Sequence, residues 1–336
     1  MRNGITALSA MLALVVGCAG DVSMTDGEDG QDSLAQESTP GEGTEGATEA
    51  PQVPTPEVPT PEAPSASAPK IPAVNGACPA FRNGTVTVNG LSGISIQAGA
   101  KKSGTPTGPL IFYWHGTGSS SAEANLMFPA AARREVLEAG GVIVAFQRSG
   151  GGGGDCSGTG TFSINDFNIA DQIVACAVRD HNIDPRRIYT TGCSAGGLQA
   201  GCMASRRSGY VAAAVPNSGG IVFPQPIQDP SHVPPIMTMH GSSLDTVIVT
   251  FSQTSATLGN QFARAGGYVL NCNHGGGHCG APGALQLAGW RFMKDHPFGA
   301  DKPYEKGLPA GAFPNYCQVR TAPAGGTTGT PAPRPR

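Results

Sequence analysis

Arg187-Ile188-Tyr189-Thr190-Thr191-Gly192-Cys193-Ser194-Ala195-Gly196-Gly197-Leu198 is the stretch on which the fold of this 336-residue chain turns. Residues 187–191 are a β-branched and aromatic run of the kind that forms a buried strand. Gly197 to Ala204 is rich in small residues and reads as a helix packed close against a sheet. Between them, Gly192-Cys193-Ser194-Ala195-Gly196 fits the pattern Gly-x-Ser-x-Gly, which places a serine on a sharp strand-to-helix turn with its hydroxyl held clear of the backbone. Among 49 glycines the pentapeptide alone says little. The strand before it and the helix after it give it weight.

Working outward, the same alternation repeats. Thr85–Val88 and Ile94–Ile96 alternate as half-exposed antiparallel strands do. Leu110–Trp114, Val142–Phe146, Ile188–Thr191, Val211–Val215, Ile236–Met239 and Tyr268–Leu270 are mostly continuous apolar runs, as expected of parallel strands buried on both faces. Helical spacing covers Ala122–Ala139, Asp166–His181, Phe251–Ala265 and Leu285–Asp295, while Asp184-Pro185 reads as a turn. This order predicts an α/β fold with a mostly parallel, doubly wound sheet and helices on both faces. Chemistry in such sheets gathers at the carboxyl ends of the strands, where Ser194 falls.

The domain spans residues 74–319. Before it, residues 1–18 combine a basic start, a short apolar stretch and Val15-Val16-Gly17-Cys18, which reads as a signal peptide with a bacterial lipobox. Cys18 is then the lipidation site. Residues 19–73 form an acidic, proline-rich tether whose stretch from Ala19 to Pro69 holds eleven acidic residues and no Lys or Arg. Such a composition cannot bury enough apolar surface to offset its ordering entropy. Residues 320–336 are a Pro/Gly/Thr tail. From Lys70 onward there are 20 Lys+Arg against 13 Asp+Glu, a net charge of +7 hidden within an overall −3. The basic residues are scattered in pairs such as Arg133-Arg134 and Arg206-Arg207, a solvated surface and not a nucleic-acid groove. Nine cysteines less Cys18 leave eight, an even number that points to disulfides in an exported chain. Cys78 with Cys317 could tie the ends of the domain, and Cys272 with Cys279 could staple one loop.

A serine hydroxyl needs a base, and the base an orienting group. In the order Ser, Asp/Glu, His, only Asp229 and Asp245 lie between Ser194 and the late histidines. Asp245 follows a strand by four residues and is preferred; Asp229 sits in a proline-rich excursion. His278 ends Asn273-His274-Gly275-Gly276-Gly277-His278, whose glycines let the imidazole fold back over the sheet edge, with His274 as the alternative. His296 reads as a helix-end residue. An oxyanion hole would use the amide of Ala195 and one from Trp114-His115-Gly116-Thr117-Gly118, with Thr117 preferred over Gly118 and His115 bonding the loop backbone. Cys272-x-His274-x3-His278-Cys279 could bind zinc, but in an oxidising compartment the cysteines pair, so no metal is assigned. Gly150–Gly154 lacks the residues of a phosphate loop and reads as a flexible rim pinned by Cys156.

With these residues placed, the domain resembles the secreted polyhydroxybutyrate depolymerase and feruloyl esterase family of α/β-hydrolases. The resemblance rests on His115-Gly116, Asp184-Pro185-Arg186-Arg187-Ile188-Tyr189 leading into Gly192–Gly197, His240-Gly241 with Asp245, Gly275–His278, and the helix Trp290–Pro297. It departs at Thr117, where relatives often carry Cys, and in the cysteines around the serine and histidine. It implies an exported esterase without cofactor, either lipid-anchored to the cell envelope or secreted, whose partner is an ester, polymeric esters included. A serine peptidase of the same fold, or a non-catalytic binding lipoprotein on that scaffold, are the alternatives. The substrate classes that fit are polyester, feruloyl-polysaccharide and acetyl-polysaccharide esters.

Overall fold

The structure, a computed structural model, describes residues 68–300 and 303–321. Cys18, most of the tether and the tail from residue 322 lie outside the described residues. Nine strands form one sheet: β1 Gly84–Val88, β2 Leu91–Ala98, β3 Gly108–Trp114, β4 Val142–Phe146, β5 Ile183–Cys193, β6 Ala213–Asn217, β7 Ile236–His240, β8 Val269–Asn273 and β9 Cys317–Val319. Their spatial order is β1-β2-β4-β3-β5-β6-β7-β8-β9. Strands from β4 through β8 run parallel to their neighbours; β1, β2 and β9 pair antiparallel at the two edges. β1 and β2 are joined by Asn89-Gly90, both at positive φ, the backbone a two-residue hairpin needs.

The side-chain period of two explains why the central strands are apolar throughout. Leu110, Phe112 and Trp114 of β3 face one layer, with helices α3 (Asp166–His181), α4 (Ala195–Arg206) and α5 (Phe251–Arg264). Ile111 and Tyr113 face the other, with α1 (Glu123–Met127), α2 (Ala130–Glu138) and α6 (Gly283–Asp295). Buried on both faces, these strands have no polar side to show. Among the described residues no helix is long and apolar enough to cross a membrane.

Several boundaries differ from the sequence reading. The expected helix Ala122–Ala139 is two helices, because Pro129 forces Phe128 into an extended conformation (ψ 116°). Asp184-Pro185 lies within β5, whose register with β3 shifts between Gly108 and Leu110. The strand expected at Val211–Val215 is displaced to Ala213–Asn217, and β9 carries too short an apolar pattern to be read at all.

Four disulfides close the domain: Cys78–Cys176, Cys156–Cys202, Cys193–Cys279 and Cys272–Cys317. Neither expected pairing, Cys78 with Cys317 or Cys272 with Cys279, is formed. Cys272 and Cys317 are directly opposed across β8 and β9, and Cys279 is carried away to Cys193 by the loop it follows. The rim glycines are pinned as expected, through Cys156 to Cys202 on α4.

Packing begins already at Lys70, whose amide donates to the Gly209 carbonyl at 2.7 Å and whose ammonium pairs with buried Asp229 at 2.7 Å. Lys70, together with the Ser231 hydroxyl and amide, pulls the Asp229 carboxyl down to about 2. A depressed carboxyl stabilises the fold above its unfolded pKa of about 4 and loses that contribution as pH falls through its folded value. We expect Asp229→Asn to lower the melting temperature at pH 7, and the gap from the parent protein to close between about pH 4 and about pH 2, by calorimetry across that range.

Candidate active site

Ser194 stands between the last residue of β5 and the first of α4 at φ 59° and ψ −124°, a strained backbone for a residue with a Cβ. The turn is tight because β5 and α4 cross directly over the end of β3. A Cβ on Gly192 or Gly196 would run into the Trp114 carbonyl, and one on Gly197 into the Asn217 carbonyl. The Ser194 amide donates to that same Asn217 carbonyl at 3.2 Å, locking the turn onto β6.

Asp245 lies on the loop after β7 and is fully buried. Its Oδ1 accepts from His278 Nδ1 at 2.7 Å, and its Oδ2 from the Gly241 amide at 3.0 Å and the Ser218 hydroxyl at 2.8 Å. Burial pushes this carboxyl up, yet the hydrogen bonds from His278, Gly241 and Ser218 outweigh it and hold the group below its usual value. Asp245 is therefore a carboxylate at neutral pH. With Nδ1 donating to Asp245, the neutral imidazole of His278 is the tautomer whose Nε2 accepts. The Phe251 ring, at the start of α5, packs on the imidazole with centroids 4.7 Å apart.

No hydrogen bond joins the Ser194 hydroxyl to His278 among the described residues. The two are instead linked covalently one residue away, through Cys193 and Cys279. The sequence pattern offers Cys272 as the partner of Cys279 and gives Cys193 no partner. The signal was present: Cys193 and Cys279 each directly adjoin a residue singled out for chemistry.

The remaining candidates separate from this group. His274 is partly buried; its Nδ1 accepts from the Gly276 amide, and burial lowers its pKa, so it is neutral at pH 7. His296 is buried near the amino ends of the strands, donating from Nδ1 to the Phe292 carbonyl at 2.7 Å. Asp229 is engaged by Lys70. Cys272 and Cys279 are both consumed in disulfides, which removes two donors from the cluster that suggested zinc.

The loop after β3 lies against the serine: a Cβ placed on Gly116 would sit 3.4 Å from Ser194 Cβ. Its amide donates to both oxygens of Glu123, of which Oε1 also accepts the Tyr113 hydroxyl at 2.9 Å. Burial first, then the Glu123 charge, keeps the Tyr113 phenol protonated. His115 bonds the Gly116 and Gln147 carbonyls, as expected of a loop-holding residue. Among the described residues, the amides of Thr117 and Ala195 have no acceptor. The Thr117 hydroxyl meets that of Thr161 at 2.7 Å, the near end of a hydroxyl row running through Thr159 and Ser157 to Asp155.

No protein-family profile matches the sequence, and no curated protein matches it either. Solved structures do. Native pOPH superposes with a TM-score of 0.56 at 16% identity, covering 74% of this chain and 97% of that one. A serine-to-alanine variant of pOPH in complex with pNPB gives 0.57 at 15% over the same shares, and native sOPH 0.54 at 16%. The chain has the α/β-hydrolase fold. At such identities the likeness carries the fold alone.

The crossing at the serine turn makes a sharp prediction. Gly196→Ala should cost upward of about 4 kcal/mol, since the clash is with backbone that cannot turn aside. Gly275→Ala, with open space around it but φ of 69°, should cost only about 1 kcal/mol. Denaturant unfolding of the two variants checks the contrast.

Proposed function

We propose that the protein is an extracytoplasmic serine carboxylic-ester hydrolase working through an acyl-enzyme. The observation that carries this reading is the pair of buried Asp245 and half-buried His278, bonded at 2.7 Å and stapled by a disulfide to the residue beside a strained, glycine-flanked serine. Serine turns of this shape exist to present a hydroxyl.

In this reading Ser194 attacks the ester carbonyl while His278 Nε2 takes its proton. Asp245 holds the imidazole in the Nδ1–H tautomer and stabilises the imidazolium. The developing oxyanion is held by the amides of Ala195 and Thr117. His278 then returns the proton to the leaving alcohol, and water releases the acid by the same steps reversed. All the groups required are side chains and amides of the chain itself, so no cofactor is assigned. Beside Gly192 and Cys193 a small cavity is lined by Phe128, Met239, Trp290 and Met293.

Lipid anchoring through Cys18 is part of the proposal. The chain enters the domain at Lys70, clamped to Gly209 and Asp229 near the amino ends of the strands, whereas Ser194, Asp245 and His278 follow their carboxyl ends. The acidic tether would supply reach, and the substrate an ester in the surroundings of the cell.

Ser194→Ala should lower turnover of a short p-nitrophenyl ester by at least about 10⁴-fold with the far-UV spectrum unchanged. Asp245→Asn should retain a rate about 10⁴-fold down, through the wrong imidazole tautomer. Fluorophosphonate labelling of Ser194, located by peptide mass spectrometry, provides the second check; an unlabelled serine would indicate a binding protein, and preferential cleavage of peptide amides a peptidase.

A further inference from the structure

The carboxyl end of β6 lies between those of β5 and β7, so the residues that follow it can reach the loops on both sides. Asn217 and Ser218 occupy that place, at 5% and 0% exposure. The Asn217 carbonyl accepts the Ser194 amide at 3.2 Å, and its Nδ2 donates to the Cys279 carbonyl at 3.4 Å. Ser218 Oγ donates to Asp245 Oδ2 at 2.8 Å and accepts the Cys279 amide at 2.9 Å. Its own amide donates to Met239 at the end of β7 at 2.7 Å. One dipeptide thus touches the serine turn, the acid and both backbone groups of the residue after His278.

A serine hydroxyl has one proton to give, and here it goes to the carboxylate while its lone pair takes the Cys279 amide. That arrangement aims Oδ1 of Asp245 at His278, because Oδ2 is already occupied by Ser218 and Gly241. It also holds the histidine loop at a fixed distance from the acid. Ser218 keeps this place with φ of 38°, a conformation in which glycine would be at ease. A residue that only filled the turn would more cheaply be glycine, so the strain points to a use for the hydroxyl.

We propose that Ser218 is a positioning residue of the hydrolytic site, whose hydroxyl fixes the carboxylate of Asp245 against His278 and the histidine loop against the carboxylate. The proposal rests on the assignment of Ser194, Asp245 and His278 as nucleophile, acid and base. The groups facing Asp245 are His278, Ser218 and the Gly241 amide, with the His240 and His274 imidazoles nearby and kept neutral at pH 7 chiefly by burial.

The test uses the full chain and two variants, Ser218→Ala and Ser218→Gly. The glycine variant relieves the backbone strain, so its folding does not hang on the hydroxyl. With a short p-nitrophenyl ester, kcat should fall about 10- to 100-fold, the worth of a hydrogen bond to a charged group, with KM within about twofold. In an Asp245→Asn background the same substitutions should change the fluorophosphonate labelling rate by less than about threefold, because the carboxylate they serve is gone. The downfield proton resonance of His278 Nδ1–H should shift or broaden in both variants. A folded Ser218→Gly enzyme with kcat within about threefold of the parent overturns the proposal. So does a loss of rate that is as large in the Asp245→Asn background. Ser194→Ala separates the two levels: if that variant stays active the triad assignment fails, whereas an inactive Ser194→Ala beside a fully active Ser218→Gly removes only the role of Ser218.

Discussion

Where β5 turns into α4, the backbone passes so close to the end of β3 that no Cβ can stand at Gly192 or Gly196. Everything else at the carboxyl edge of the sheet is arranged around that contact. The Trp114 carbonyl that receives it belongs to a residue held from all sides. Its indole is fully buried, donates to the Thr190 hydroxyl at 3.1 Å, and packs against Phe146, Phe162 and Phe167. An immovable carbonyl on one side and the Asn217 carbonyl on the other leave the turn one conformation, and Ser194 is carried in it at positive φ. Strain of this kind persists only when the surroundings over-determine it.

The second layer of constraint joins loops that are far apart in sequence. Asp245 follows β7, His278 follows β8 and Ser194 follows β5, and loops at strand ends are by nature the most mobile parts of a domain. Here they are bound to one another. The Cys193–Cys279 disulfide links the residues next to the serine and the histidine, Asp245 bonds the imidazole, and Asn217-Ser218 ties in the acid and the histidine loop. Disulfides of this kind persist in an oxidising environment. The loop after β3 is steadied differently, by the Glu123 carboxylate on its Gly116 amide and by the His115 ring, which lies between the Gly116 carbonyl and the Gln147 carbonyl after β4.

Much of this was legible before any coordinates. The strand and helix flanking Ser194 and the parallel core strands follow from local pattern, while Asp245 and His278 are singled out by applying the order Ser, Asp/Glu, His along the chain. Asp166–His181 matches its helix at both ends, because its apolar period is strong and it closes on Asn182 in the left-handed conformation. The break at Pro129 was open to a stricter reading, since the residue before a proline avoids the helical region. β9 was not legible: three residues, two of them exposed, carry no pattern, and their place is set by the Cys272–Cys317 bond and the free edge of β8.

The sequence by itself determined which residues could do chemistry and roughly where along the chain each would fall, because residue type and local periodicity are properties of neighbours. Only the tertiary structure decided which of them meet. Disulfide partners 86 residues apart, the contact of Gly116 with Ser194, and the insertion of Ser218 between Asp245 and Cys279 are matters of how strands are ordered in the sheet. That order is fixed by burying two apolar layers at once, a condition on the whole chain that no local stretch contains.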